Sequence, residues 1–248
     1  MSAKHVIFWD FDGTLTSRTG RWSGWAGALL RVVDEHPGAP RVSRGLLDHL
    51  CDEGFPWDTP QTPHPELNDA AAWWARAERN FVRIYRAAGL RADLAELLAA
   101  RVRGALLSSG GWTVFDDVHP ALTLLAERGW RQIVISNSFP ELPQIVASLG
   151  LAPLFDDVFS SAGLGFEKPH PGIYQAAIER AGKPDRIWMV GNDYERDVLA
   201  AEHAGIPAIL VRERDERASR CFGDLLSAAA FIDKESGSAG QVSMSTGT

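Results

Sequence analysis

The apolar run Val6-Ile7-Phe8-Trp9 passes without a break into Asp10-Phe11-Asp12-Gly13-Thr14-Leu15. Four consecutive apolar residues bounded by turn signals read as a short strand buried on both faces. Side chains alternate between the faces of a strand, so both acids can face one ligand only where the chain leaves the sheet. Gly13 permits that departure, because it adopts backbone angles that other residues resist. Carboxylates this close repel one another unless a cation or a shared proton relieves them. An Asp-Gly turn alone is commonplace, but the whole string at the end of a first strand marks a site.

After Leu15 the pattern is helical for almost a hundred residues. Arg21 to Glu35 places Trp22, Trp25, Leu29 and Val33 at helical spacing, and His36-Pro37-Gly38 ends the run. Ser43 is placed to cap a second helix carrying Leu46, Leu47 and Leu50. Gly54 to Pro65 holds four prolines and reads as a loop, with Gly54-Phe55-Pro56-Trp57 its apolar part. Asp69 to Ala88 and Ala92 to Leu107 are two further helices, the first stopped by Gly89. Six of the nine tryptophans lie between Trp22 and Trp112, which suits an inserted all-helical domain with its own core. Trp22, Trp25 and Trp73 are expected to pack that core, and Trp57 to meet a ligand.

From Thr113 strands and helices alternate. Helices are expected at Pro120 to Arg128, Glu141 to Leu149, Gly172 to Ala181 and Glu195 to Ala204. Strands are expected at Arg131 to Ile135, Val158-Phe159, Ile187 to Val190 and Pro207 to Val211. Such alternation indicates parallel βαβ units. A short helix is expected over Asp224 to Phe231, and the Ser/Gly-rich stretch 234–248 is expected to be disordered. No internal repeat is seen.

A net charge of −7 argues against a broad nucleic-acid surface, so positive charge for an anionic ligand must be local. Cys51 and Cys221 stand in no metal or redox spacing, which suits a reducing compartment. The chain reaches its first strand within five residues, without a signal-peptide h-region, and has no bilayer-length apolar stretch. A cytoplasmic protein without a membrane partner is expected, as monomer or homodimer.

Ligands of open parallel sheets bind beyond the carboxyl ends of the strands. Four such ends carry polar groups here: Asp10 and Asp12, Ser136 and Asn137, Lys168, and the cluster Asn192, Asp193 and Asp197. Each alone has a structural explanation as a cap, a loop lysine or a turn. Together, in register with the strand ends, they indicate one site.

These four motifs resemble those of the haloacid dehalogenase superfamily, over about residues 5 to 213. The nearest likeness is to phosphatase-like members with a helical cap inserted after the first core strand. The resemblance implies an α/β fold: a Rossmann-like, five-stranded parallel core over 1–15 and 113–233, and a cap over 16–112. It implies that Asp10 attacks phosphorus to form an aspartyl-phosphate, and that Asp12 protonates the leaving oxygen and then activates water. Ser136 and the Asn137 N–H would hold phosphoryl oxygens at a helix N-terminus, and Lys168 would neutralise their charge. Gly13 and Thr14 of the first motif, with Trp57 and Arg21 beyond it, complete the expected contacts to a small-molecule phosphate ester. Mg²⁺ suits an all-oxygen site completed by water and substrate. Its protein ligands would be Asp10, the Asp12 carbonyl and the fourth motif, with Asp197 behind them.

The chain departs from the family pattern at one position. Asn192 stands where an acid is usual, with Asp193 one residue on. Alignment favours Asn192 as the metal ligand, charge favours Asp193, and both are candidates. Asp12 speaks against the related 2-haloacid dehalogenases, which lack an acid at that position. Residues 16–112 contain no lysine for the Schiff base of a phosphonatase. A sugar phosphomutase uses the same two aspartates and remains an alternative. From another class, so does a non-catalytic phosphate-binding module, which would show no Mg²⁺-dependent phosphate release.

Overall fold

The computed structural model of the chain describes residues 5–18, 20, 23–108 and 111–242. Strand β1 (His5–Trp9) leads into the acidic string, and the ribbon strand β2 (Thr16–Arg18) follows at once. A helical segment comes next: α1 (Gly24–Asp34), α2 (Arg44–Leu50), α3 (Ala70–Ala87) and α4 (Ala92–Ser108). Strand β3 (Trp112–Val114) then pairs antiparallel with β2, Arg18 opposite Trp112. The helical segment therefore leaves and rejoins the rest of the chain through one two-stranded ribbon.

The remainder alternates: α5 (Val118–Glu127), β4 (Arg131–Ser136), α6 (Leu142–Ser148), β5 (Asp157–Ser160), α7 (Ser161–Leu164), α8 (Pro171–Arg180) and β6 (Arg186–Gly191). A π-helical turn (Tyr194–Leu199) runs into α9 (Ala200–His203), followed by β7 (Ala208–Val211), β8 (Cys221–Phe222) and α10 (Leu225–Val242). Six strands form one parallel sheet in the order β5-β4-β1-β6-β7-β8. Five strands were implied by the sequence. The sixth, β8, is two residues long, too short to leave a periodic signal.

Burial explains why β1 is apolar at every position. Val6 and Phe8 pack on one face with Ile173 and Tyr174 of α8, while Ile7 and Trp9 join the opposite core, which includes Leu122 and Leu125 of α5. All four strand residues are fully buried, as a parallel sheet covered by helices on both sides requires. β1 lies between β4 and β6, so Trp9 is paired with Val134 on one side and Val190 on the other. Chain order runs outward from β1 through β4 and β5, then returns to build β6, β7 and β8 on the far side. The carboxyl ends of β1, β4 and β6 thus meet at the switch point where a crevice opens.

In the helical segment the expected cap at Ser43 is in place, its side chain accepting from Leu46 N–H, and the Asp69 side chain likewise accepts from Ala71 N–H. Trp73, Ala77, Phe81 and Ile84 form the buried stripe of α3. One expectation is overturned at the other end of the chain. Helix α10 continues to Val242, into the stretch from 234 that composition marks as unstructured. Leu225, Ala228, Ala229 and Ile232 anchor its first turns, and no proline follows to stop the backbone. Residues 243–248 lie outside the described residues. Among the described residues, no helix is long and apolar enough to cross a membrane.

Candidate active site

Asp10 is the first residue beyond β1, and its N–H still donates to the Val190 carbonyl of β6 at 2.9 Å. Sheet pairing therefore fixes the backbone of this aspartate. Its carboxylate is 6% exposed as a residue and is held from three sides. Lys168 Nζ and Ser136 Oγ both donate to Oδ1, at 2.7 and 3.1 Å, and the Thr14 hydroxyl lies 3.2 Å from Oδ2. One oxygen is thus firmly anchored, and the other has a single neutral contact.

The Lys168 ammonium is buried and spends its three donors on Asp10, on Asp197 Oδ1 at 2.6 Å and on the Ile135 carbonyl at 3.2 Å. Burial pulls its pKa down, but the two carboxylates outweigh this and hold it above the ordinary lysine value. Burial pushes the Asp197 carboxyl up, against the pull of Lys168. Asp197 also accepts the Asp193 N–H at 3.0 Å, so the fourth motif is tied to the third through one carboxylate.

Gly13 has a φ of +88°, and a Cβ there would come within 2.5 Å of the Asn192 amide. Only glycine allows both the turn and this close approach. The Thr14 hydroxyl, 3.2 Å from Asn192 Oδ1 as well as from Asp10, bridges the two ends of the site. The Thr14 carbonyl is held by Arg212 Nε at 2.7 Å, and Arg212 is paired in turn with Asp117. Sequence reasoning missed Arg212, which follows the last long strand without any motif.

Asn137 plays a part that the sequence did not suggest. Its side-chain Nδ2 donates to the Lys168 carbonyl at 2.8 Å, and its Oδ1 accepts the Lys168 N–H at 2.6 Å. The amide thereby clamps the backbone that carries the lysine. The expected helix N-terminus at Ser136 and Asn137 is absent, because α6 starts only at Leu142, beyond the intervening Pro140. Ser136 and Asn137 sit on the strand end and loop instead.

Asp12 is gripped by two residues of the ribbon. Arg18 takes both its oxygens, and Trp112 Nε1 donates to Oδ1 at 2.8 Å. The two fourth-motif candidates differ in their surroundings. Asn192 faces Gly13 and Thr14, next to Asp10. The Asp193 carboxylate accepts the Arg196 N–H at 2.9 Å and pairs with the Arg196 guanidinium at 3.2 Å, capping the π-helical turn.

A cavity of about 250 Å³ collects Asp10, Asp12, Ser136, Asn137, Lys168, Asn192, Asp193 and Asp197 in its lining. Trp25, Trp57 and Phe139 line it as well. Trp25 therefore does more than fill the helical core, as was expected of it. Gly13 and Thr14, expected as substrate contacts, do not line the cavity; Thr14 is fully buried and acts through Asp10 and Asn192 instead. Arg21, the remaining expected contact, and Trp22 lie outside the described residues. Among the described residues, no three His, Cys, Asp or Glu side chains gather to hold a metal. The side-chain oxygens of Asp10 and Asn192, both lining the cavity, are the donor type that suits a hard cation completed by water.

Comparison with known proteins agrees with this architecture. Residues 4–205 match the haloacid dehalogenase-like hydrolase family, and the chain belongs to that family. It is 39% identical over 108 residues to the glyceraldehyde 3-phosphate phosphatase of Methanothermobacter thermautotrophicus, covering 43% of this chain and 48% of that protein. It is 27% identical over 207 residues to the phosphoglycolate phosphatase of Yersinia pseudotuberculosis, covering 82% and 78%. The chain spans about half the length of the first curated relatives it matches. The 2-haloacid dehalogenase structure from Pseudomonas syringae pv. Tomato superposes with a TM-score of 0.67 at 23% identity, over 94% of this chain and 99% of that one. At that identity the likeness is one of fold.

Proposed function

We propose that the protein is a phosphatase that hydrolyses a small-molecule phosphomonoester through a covalent phosphoryl intermediate on Asp10. The observation that carries this reading is the asymmetric hold on Asp10. Lys168 and Ser136 fix Oδ1, while Oδ2 meets only the Thr14 hydroxyl. A carboxylate anchored by one oxygen can attack with the other. Oδ2 bonds to phosphorus as the ester P–O bond breaks, and Asp12 gives its proton to the departing oxygen. Water then attacks the phosphorus, Asp12 takes up its proton, and inorganic phosphate leaves with Asp10 restored.

Lys168 offsets the phosphoryl charge that Asp10 would otherwise repel, and Ser136 orients the Asp10 carboxylate. Asp12, ion-paired with Arg18, stands as the base of the second half-reaction. For the first half, the carboxyl needs its proton and a looser hold from Arg18. Asp10, the Asp12 carbonyl and Asn192 would hold Mg²⁺, with Asp193 the second candidate once released from Arg196. Bound there, the ion supplies further neutralisation of the phosphoryl oxygens. The helical segment serves as a cap over the cavity, bringing Trp25 and Trp57 to the substrate.

The test is phosphate release from a panel of phosphomonoesters, with Mg²⁺ or with EDTA, by the wild type and by Asp10→Asn. Release that needs both Mg²⁺ and Asp10 is expected. Mg²⁺-dependent release that survives in Asp10→Asn overturns the reading.

A further inference from the structure

The cavity lining combines polar and aromatic side chains, and the aromatic ones have a specific geometry. Phe55 is 1% exposed, and Trp57 stacks on it with centroids 4.8 Å apart and planes 10° from parallel. Trp25 lies 5.9 Å from Trp57 at 33°, and Phe139 meets Trp25 edge-on at 5.7 Å and 79°. Trp25 also touches Trp73, Trp74 and Phe81. The two rings are thus held from behind by buried aromatics, yet both remain partly exposed and line the cavity. A rigid aromatic surface orders little on binding, and flat partners gain most from it by stacking or edge contact.

The charges of the same cavity restrict the ligand further. Its three described cations already hold carboxylates: Lys168 holds Asp10 and Asp197, Arg18 holds Asp12, and Arg196 holds Asp193. On the phosphatase reading, the charge of the phosphoryl group is offset by the buried Lys168 beside Asp10. A leaving group with a charge of its own would find no described cation there without breaking a pair, and would face Asp12 and Asp193. Size is limiting too, since about 250 Å³ must hold the phosphoryl group as well, and sites for drug-sized ligands usually begin near 300 Å³.

Resting on the phosphatase reading, we propose that the substrate is a phosphomonoester whose leaving group is uncharged and ends in a single planar ring, seated against Trp25 and Trp57. Small aliphatic esters with a second anionic group are the poor substrates of this site.

The experiment compares benzyl phosphate with cyclohexylmethyl, n-butyl and carboxymethyl phosphate (phosphoglycolate) at saturating Mg²⁺. The first three alcohols leave with similar basicity, so ring flatness is the variable. In the wild type, kcat/KM for benzyl phosphate is expected to exceed that for each of the others by about tenfold or more. Trp57→Leu and Trp25→Leu are each expected to draw the benzyl to cyclohexylmethyl ratio towards one. A wild-type ratio within about twofold of one, or phosphoglycolate as the best ester, overturns the proposal. Calorimetry with benzylphosphonate and butylphosphonate separates it from the reading beneath it. Tighter benzylphosphonate binding with no ester turned over overturns the phosphatase reading and leaves the aromatic surface standing. Turnover of every ester without preference does the reverse.

Discussion

Arg18 holds both carboxylate oxygens of Asp12, with Nε 3.0 Å from Oδ1 and Nη2 2.6 Å from Oδ2. Arg18 lies on β2 directly opposite Trp112 of β3, whose indole donates to the same carboxylate and whose ring lies 4.6 Å from the guanidinium. The orientation of Asp12 is therefore set by the ribbon through which the helical segment is attached. A shift of that segment that twists the ribbon moves the acid–base group with it.

Removing the fork should cost turnover more than binding. Arg18→Ala is expected to lower kcat about 10- to 100-fold with a smaller change in KM, because Asp12 loses its fixed direction. Arg18→Lys should recover little of this, since an ammonium cannot grip two oxygens in one plane. Steady-state kinetics on one good ester measures both, and an unchanged kcat in Arg18→Ala would remove the ribbon from the mechanism.

Lys168 neutralises two buried carboxylates at once. Lys168→Met should abolish phosphate release and destabilise the fold by about 3–5 kcal/mol, because Asp10 and Asp197 are left facing each other unpaired. Adding Asp197→Asn to that variant should restore part of the urea midpoint without restoring activity. Equal midpoints for the single and double variants would mean that the repulsion is relieved in another way.

Asn192 offers a neutral oxygen where a charged one would bind a cation more strongly. Asn192→Asp is expected to lower the Mg²⁺ concentration for half-maximal phosphate release by about tenfold, since ligand charge tunes such sites. The metal-free protein should become less stable, with another carboxylate beside Asp10. Asp193→Asn should shift the Mg²⁺ curve less, because Arg196 already occupies that carboxylate. A larger shift for Asp193→Asn would exchange the two roles.

Glu167 supplies a pH dependence of stability. It is 2% exposed, and its Oε2 makes no hydrogen bond. Burial pushes its carboxyl up to about 7, against the Ser161 hydroxyl and the Lys168 charge, which pull it down. The folded state then keeps the proton to higher pH than the unfolded chain, whose carboxyl titrates near its ordinary value of 4.5. Stability from this group is complete below about pH 4.5 and falls as pH rises through 7, by about 3 kcal/mol in all. Glu167→Gln should flatten that decline and be the more stable protein at pH 8, as read from urea unfolding between pH 5 and 8. Parallel pH curves for the two proteins would exclude Glu167 as the cause.

What could be read in advance follows a physical division. Strand ends and caps are local: Asp10 after Trp9, Gly13 at its turn and Ser43 before α2 all declare themselves through their neighbours in sequence. Partners brought together only by folding leave no such trace. Arg18 and Trp112 meet at Asp12 from opposite ends of the helical segment, and Arg212 returns to Thr14 from 198 positions away. The Asn137 amide was legible as a strand-end polar group, but not as the clamp on Lys168. The length of α10 was hidden for another reason. Composition reports what a stretch can bury, and this helix is anchored by Leu225 to Ile232, ahead of the polar stretch.

The interior position of β1 also bears on how the chain is made. Trp9 donates its indole N–H to Gln132, 123 positions later, and β6 lies further on still. At roughly 5–20 residues per second of synthesis, Val6-Ile7-Phe8-Trp9 waits about 6–25 s for its first neighbour. The helical segment has mostly local contacts and can form in that interval. This fully apolar stretch thus stays without its sheet partner until β4 is made, which ties the folding yield to elongation rate and to chaperones that shield it in that interval.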